Sequence, residues 1–180
     1  MEREHEESRP VRKALIISVS HYHNSTNLKD LPFVENDGIK MAELLESLGY
    51  EIADNNKLIG NVSLEDMRKS IIDFFKTAKH TDTLLFYYSG HGVHDVNGNL
   101  YLAASEIIYD DPYEGGFSIG VLTDRLRQSR STKKIVLLDC CYSGLARLGK
   151  ESAEDAASLG LAAISHKGSQ YLIVARASVF

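Results

Sequence analysis

Thr83-Leu84-Leu85-Phe86-Tyr87-Tyr88-Ser89-Gly90-His91-Gly92 decides the fold. Five consecutive apolar or aromatic residues, from Leu84 to Tyr88, read as a strand buried on both faces, and the run stops at a histidine held between two glycines. Ile135-Val136-Leu137-Leu138 repeats the pattern and stops at Asp139-Cys140-Cys141. Two buried strands thus each end on a residue able to do chemistry.

Working outward, Ala14-Leu15-Ile16-Ile17-Ser18-Val19 and Tyr171-Leu172-Ile173-Val174 read as further buried strands, and Lys57-Leu58-Ile59 as a weaker one. Helical spacing separates them. Asn36-Asp37 is placed to cap a helix with Met41, Leu44, Leu45 and Leu48 on one face, and Gly49 is its stop. Ser63 and Asp66 form a capping-box pattern ahead of Leu64, Met67, Ile71, Phe74, Phe75 and Ala78. Ser118 caps a short helix through Ile119, Leu122 and Leu126. Apolar strands that alternate with helices predict an α/β three-layer sandwich, a mostly parallel sheet with helices on both faces. Five strand candidates are legible.

The chain has 180 residues, 43% of them hydrophobic, which is enough for one domain with a real core. Residues 1–12 read as a charged, flexible arm and 13–180 as the domain. The small, polar stretch 145–170 reads as a mobile loop. Lys+Arg 20 against Asp+Glu 25 gives a net charge of −5 with dispersed basic residues, a balance that argues against a nucleic-acid partner. The charged start and the lack of any apolar run of about 18 residues predict a cytoplasmic protein without a membrane partner.

The only cysteines, Cys140 and Cys141, are adjacent, so they neither staple the fold nor match zinc-ligand spacing. A free thiol with a pKa of about 8.5 is only slightly ionised at neutral pH, so a nucleophilic cysteine needs an imidazole beside it. In parallel α/β sheets, sites form beyond the carboxyl ends of the strands, where His91 and Cys141 both fall. Strand alternation points Cys140 the other way, as packing. Backbone N–H groups of Gly92 and Cys141 are candidates for an oxyanion hole, worth about 3 kcal/mol per donor. His94 lacks a third ligand to make a metal site with His91, and His21 and His23 read as polar loop residues. No phosphate loop, dinucleotide loop or serine elbow occurs.

Tyr88-Ser89-Gly90-His91-Gly92 resembles the histidine motif of caspases and metacaspases, and Asp139-Cys140-Cys141-Tyr142-Ser143-Gly144 resembles the metacaspase cysteine motif, Asp-Ser-Cys-His-Ser-Gly. The 50 positions between His91 and Cys141 match caspase spacing, and the likeness runs in element order from about residue 13 to 176. Cys140 and Tyr142 depart from the motif, and the Gln-Ala-Cys pattern of animal caspases is absent. The resemblance implies a cysteine endopeptidase with a sheet of six strands, one more than is legible here. A final strand then belongs to another piece or is missing. It also implies that Asp37, Ser89 and Asp139 line a pocket for Arg or Lys before the scissile bond. By the same resemblance 145–170, with Arg147, Lys150 and Lys167, is a self-processing loop. No cofactor is required. Calcium is an option through Asp110 and Asp111, although the family's calcium motif is not evident. The expected partners are a protein or peptide substrate and a small subunit or regulatory protein. Two alternatives stay open: a non-catalytic caspase-like interaction module, and a separase- or CHAT-like peptidase of the same clan.

Overall fold

Strands and helices alternate along the chain as their periodicities require. In the computed structural model residues 9–23, 28–142, 162–166 and 169–176 are described, from 141 onward by their backbone alone. β1 (Arg12–Val19) leads to α1 (Pro32–Ser47), β2 (Lys57–Gly60), α2 (Leu64–Lys76) and β3 (Thr83–His94). β4 (Leu100–Ala103) and β5 (Gly116–Ser118) precede α3 (Ile119–Gln128), β6 (Lys133–Tyr142), β7 (Ala162–His166) and β8 (Ser169–Arg176). One sheet runs in the order β2-β1-β3-β6-β8-β7, and all its pairings are parallel except the last. β4 adds antiparallel to the end of β3, and β5 to β4.

Strand alternation sorts the side chains into two cores. Leu15, Ile17, Leu84, Phe86, Tyr88, Val136 and Leu138 face α2 and α3, where Met67, Ile71, Phe74 and Phe75 cover them. Ala14, Ile16, Leu85 and Tyr87 face Ala42 and Leu45 of α1. Helices therefore lie on both faces of a mostly parallel sheet, the expected three-layer α/β sandwich. The four large α2 residues are each at most 4% exposed, and burying them contributes roughly 6–12 kcal/mol, an upper estimate. That makes α2 the main anchor of its layer.

The helix starts follow their caps, with one correction. Ser63 Oγ accepts from Asp66 N at 3.1 Å, and Ser118 Oγ from Gly120 N at 3.2 Å, as the sequence predicts. α1, by contrast, begins at Pro32, so Asn36 and Asp37 lie within the helix and cap nothing. Proline at the first turn has no N–H to leave unpaired and a φ already suited to a helix, so it moves the start upstream. Three strands also escaped the pattern. β4 and β5 are 4 and 3 residues long, too short for a period to register. β7 lies inside the 145–170 stretch read as a loop; its two alanines give little apolar signal, and it folds back on β8 to complete the six-stranded path. Residues 1–8 of the expected arm, and Arg147, Lys150 and Lys167, lie outside the described residues. No helix among the described residues is long and apolar enough to cross a membrane.

Candidate active site

β1 pairs with β3 only as far as Ser18 with Ser89, whereas β3 and β6 continue side by side to Gly92 and Tyr142. β8 leaves β6 at Asp139. The expectation that the strand ends in Ser89-Gly90-His91-Gly92 is thus corrected: Ser89 to His94 all stay in the strand because β6 and β4 go on pairing with it. In that two-strand extension His91 stands in register with Cys141, and Gly90 with Cys140. The sheet itself brings the predicted pair to neighbouring positions.

The His91 side chain is held at one nitrogen and open at the other. Nε2 lies 2.8 Å from the carbonyl oxygen of Lys29. A carbonyl only accepts, so Nε2 carries the proton and, in the neutral ring, Nδ1 carries the lone pair. Nδ1 is buried and has no hydrogen-bond partner among the described residues. Burial lowers the pKa of His91, and the bond to Lys29 opposes this only in part. The ring packs against Tyr22 with centroids 4.8 Å apart.

Two phenols grip the backbone of the same residue. His91 N donates to Tyr22 Oη at 2.9 Å, and Tyr22 Oη donates to Val19 O at 2.9 Å. Tyr88 Oη lies 2.8 Å from His91 O and 2.9 Å from Ala103 O, and donates its one proton to either. Burial pushes both phenol pKa values up, so both stay protonated. Gly90 is required between them. A Cβ there would lie 2.7 Å from Tyr88 Oη and 2.8 Å from Tyr22 Oη.

The three predicted pocket residues converge on Tyr87. Its pKa is raised, first by burial and then by the charges of Asp139 and Asp37, while a hydrogen bond with Ser89 opposes the rise. Asp37 reaches this place from α1, which lies close against β1: a Cβ on Gly38 would collide with Ser18 Oγ. Asp37 is exposed, Asp139 half-buried and Ser89 buried. Two carboxylates, a hydroxyl and a phenol thus gather on the α1 face, next to the His91 and Cys141 positions. Cys140 is 1% exposed, in the core beneath α2 and α3.

Gly92 sits in register with both Leu102 and Tyr142 at the end of the extension. Asp110 and Asp111 are exposed on a turn, and no group of three or more potential metal ligands occurs among the described residues. Sequence reasoning missed Tyr22, the Lys29 carbonyl and the role of Tyr87. A backbone carbonyl leaves no trace in residue type, and Tyr87 looks like any strand aromatic. Tyr22 stands between His21 and His23 in a polar loop, where no periodicity marks it out.

The profile of the caspase domain family, peptidase C14, matches residues 11–178. No curated protein matches the chain. The match spans every strand of the sheet, both site strands included, and with the fold it shows that the chain belongs to the caspase-domain family of cysteine-type peptidases.

Proposed function

We propose that this protein is a cysteine endopeptidase that uses Cys141 and His91 to hydrolyse peptide bonds following Arg or Lys. One observation carries the reading: a buried imidazole whose Nε2 is tied down while Nδ1 has no partner among the described residues, on a strand in register with Cys141. Buried polar atoms are rarely left unpaired, and a thiol at the neighbouring position accounts for this one. The depressed pKa keeps the imidazole neutral at pH 7, so it is ready to accept a proton.

In this mechanism Nδ1 takes the thiol proton and the sulfur bonds to the substrate carbonyl carbon. The carbonyl electron pair moves to oxygen, stabilised by the N–H groups of Gly92 and Cys141. Collapse of the adduct expels the amine, which receives the proton from Nδ1. Water then attacks the thioester with Nδ1 again as base; the acid departs and the thiol is restored. No cofactor enters these steps.

The acidic cluster accounts for specificity. Asp37 and Asp139 favour a guanidinium or ammonium through charge-assisted hydrogen bonds and repel an aspartate side chain. Basic residues between 145 and 170 would make that stretch a substrate of its own enzyme, with a regulatory partner acting on the processed form. A fluorogenic peptide series that varies only the residue before the scissile bond tests the reading, together with mass spectrometry after treatment with a peptidyl chloromethyl ketone. Arg and Lys peptides turned over and Cys141 alkylated is the expected result. Neither cleavage nor alkylation would show a non-catalytic interaction module instead.

A further inference from the structure

The groups that hold His91 come from two limbs of a single segment between β1 and α1. The first limb supplies the Tyr22 ring and hydroxyl; the second supplies the Lys29 carbonyl. Leu31 N donates to Ser20 O at 2.8 Å and joins the limbs at their base. Nearer the imidazole they are joined by one side chain. Asp30 Oδ1 accepts from Tyr22 N at 2.9 Å, and Asp30 Oδ2 lies 3.2 Å from His21 Nδ1. His21 Nε2 in turn lies 3.3 Å from Glu35 Oε1, which accepts from Ser20 Oγ at 2.7 Å. These bonds favour the charged form of Asp30 and lower its pKa, those to Tyr22 and His21 foremost.

We propose that Asp30 is a positioning residue for His91, tying the two limbs so that the Tyr22 ring and the Lys29 carbonyl together hold the imidazole in its Nε2–H tautomer. The reason is geometric. Lys29 C=O belongs to the peptide unit that enters Asp30, so a carboxylate anchored on Tyr22 N fixes that peptide plane, and with it the direction of the acceptor. The same bond fixes the start of the Tyr22 side chain. Without it the carbonyl is free to rotate, and a neutral imidazole that loses its acceptor exchanges tautomers, placing the proton on the nitrogen that must receive one from the thiol. Misplacement of this kind, remote from the bonds that change, costs up to about 10²-fold in rate. The inference concerns orientation of the base and rests on the peptidase reading only for its kinetic consequence.

Asp30 is suited to the test because its side chain is 55% exposed, so replacing it opens no cavity. Histidine-selective 15N NMR of the intact protein reads the tautomer directly, without substrate. The wild type is expected to show a protonated Nε2 and an unprotonated Nδ1 at His91. Asp30→Ala should mix the tautomers and lower kcat by on the order of 10- to 100-fold, with KM changed less than about twofold. Asp30→Glu keeps the charge but shifts the carboxylate by one methylene, and should mix them as well. Asp30→Asn retains an acceptor for Tyr22 N and should restore both readings. An unmixed His91 spectrum in Asp30→Ala, or in Asp30→Glu should the alanine variant not fold, overturns the proposal. So does a kcat loss with an unchanged tautomer. Mixed tautomers in a protein that cleaves no peptide would leave the positioning role standing and sink the peptidase reading alone.

Discussion

Along β3 the even and odd positions meet different surroundings: Leu84, Phe86 and Tyr88 pack beneath α2 and α3, while Tyr87 and Ser89 turn toward α1, Asp37 and Asp139. On the first face the chemistry is apolar apart from one phenol that binds backbone carbonyls, so substitutions there act on stability. On the second face an apolar start, Leu85, gives way within two steps to a phenol, a hydroxyl and carboxylates, so substitutions act on selectivity. A single alternating strand thus carries the core on one side and the candidate pocket on the other. β6 does the same, with Cys140 on the core side and Asp139 and Cys141 at the alternate positions.

The sharpest break of this comparison lies at the adjacent cysteines. Cys141→Ala is expected to reduce peptide turnover to background, and His91→Ala to lower kcat by about 10²–10⁴-fold. The double variant should be no worse than Cys141→Ala alone, because members of one catalytic unit do not add. Cys140→Ala should keep most activity and lose about 1–2 kcal/mol in denaturant unfolding, the scale of a small core truncation. Inactive Cys140→Ala beside active Cys141→Ala would reverse the assignment of the two faces.

Next in size are the carboxylates on the α1 side. Asp139→Asn and Asp37→Asn should each lower kcat/KM for an Arg substrate by roughly 10- to 100-fold, the range of one charge-assisted hydrogen bond. Unfolding midpoints should move little, since Asp37 is exposed and Asp139 only half-buried. Unchanged selectivity between Arg and Asp peptides in both variants would detach the cluster around Tyr87 from substrate choice.

The contrast within β3 also marks what the sequence made legible. Leu84 to Tyr88 and Ile135 to Leu138 announced their strands because burial on both faces leaves no polar break, and His91 and Cys141 stood out against glycine and strand end. Asp37 was legible as a pocket charge through the family resemblance, but its position in the helix was not, because Pro32 set the helix start that carries it. β4, β5 and β7 are short, and their partners rather than their composition make them strands. The Lys29 carbonyl and the Tyr22 hydroxyl gain their roles only when the chain folds back on His91, a contact across more than 60 positions that no local pattern encodes.

Neighbouring tyrosines give a gentler test. Tyr88→Phe removes the donor shared by His91 O and Ala103 O in a fully buried place, and should cost about 1–3 kcal/mol in unfolding free energy. Tyr87→Phe loses a phenol beside Ser89 and the two aspartates; its effect should appear in KM for basic peptides, with stability changed by less than about 1 kcal/mol. Equal stability losses in the two variants would erase the distinction between the faces.

The smallest expected effect is on pH dependence, and its sign follows from burial. Packed against Tyr22 and 8% exposed, His91 has a pKa below the ordinary 6.5 because the charged form loses hydration. As the base in the free enzyme it must be neutral, so the acid limb of kcat/KM should lie below pH 6.5. The same shift links to folding. Between the unfolded pKa near 6.5 and the lower folded value, the unfolded chain binds more protons, so stability rises with pH across that window. This contribution is complete above about pH 6.5 and is lost as pH falls through 6.5 toward the folded pKa; half-buried His94, lowered for the same first reason, acts in the same direction. Denaturant unfolding at pH 5 and 7, beside the pH profile of kcat/KM, measures both. Tyr22→Ala uncovers one side of the imidazole and should move the kinetic limb up toward 6.5, whereas Tyr22→Phe keeps the ring covered and should leave it in place. An acid limb above 6.5 in the wild type would mean that a nearby negative charge, and not burial, governs His91.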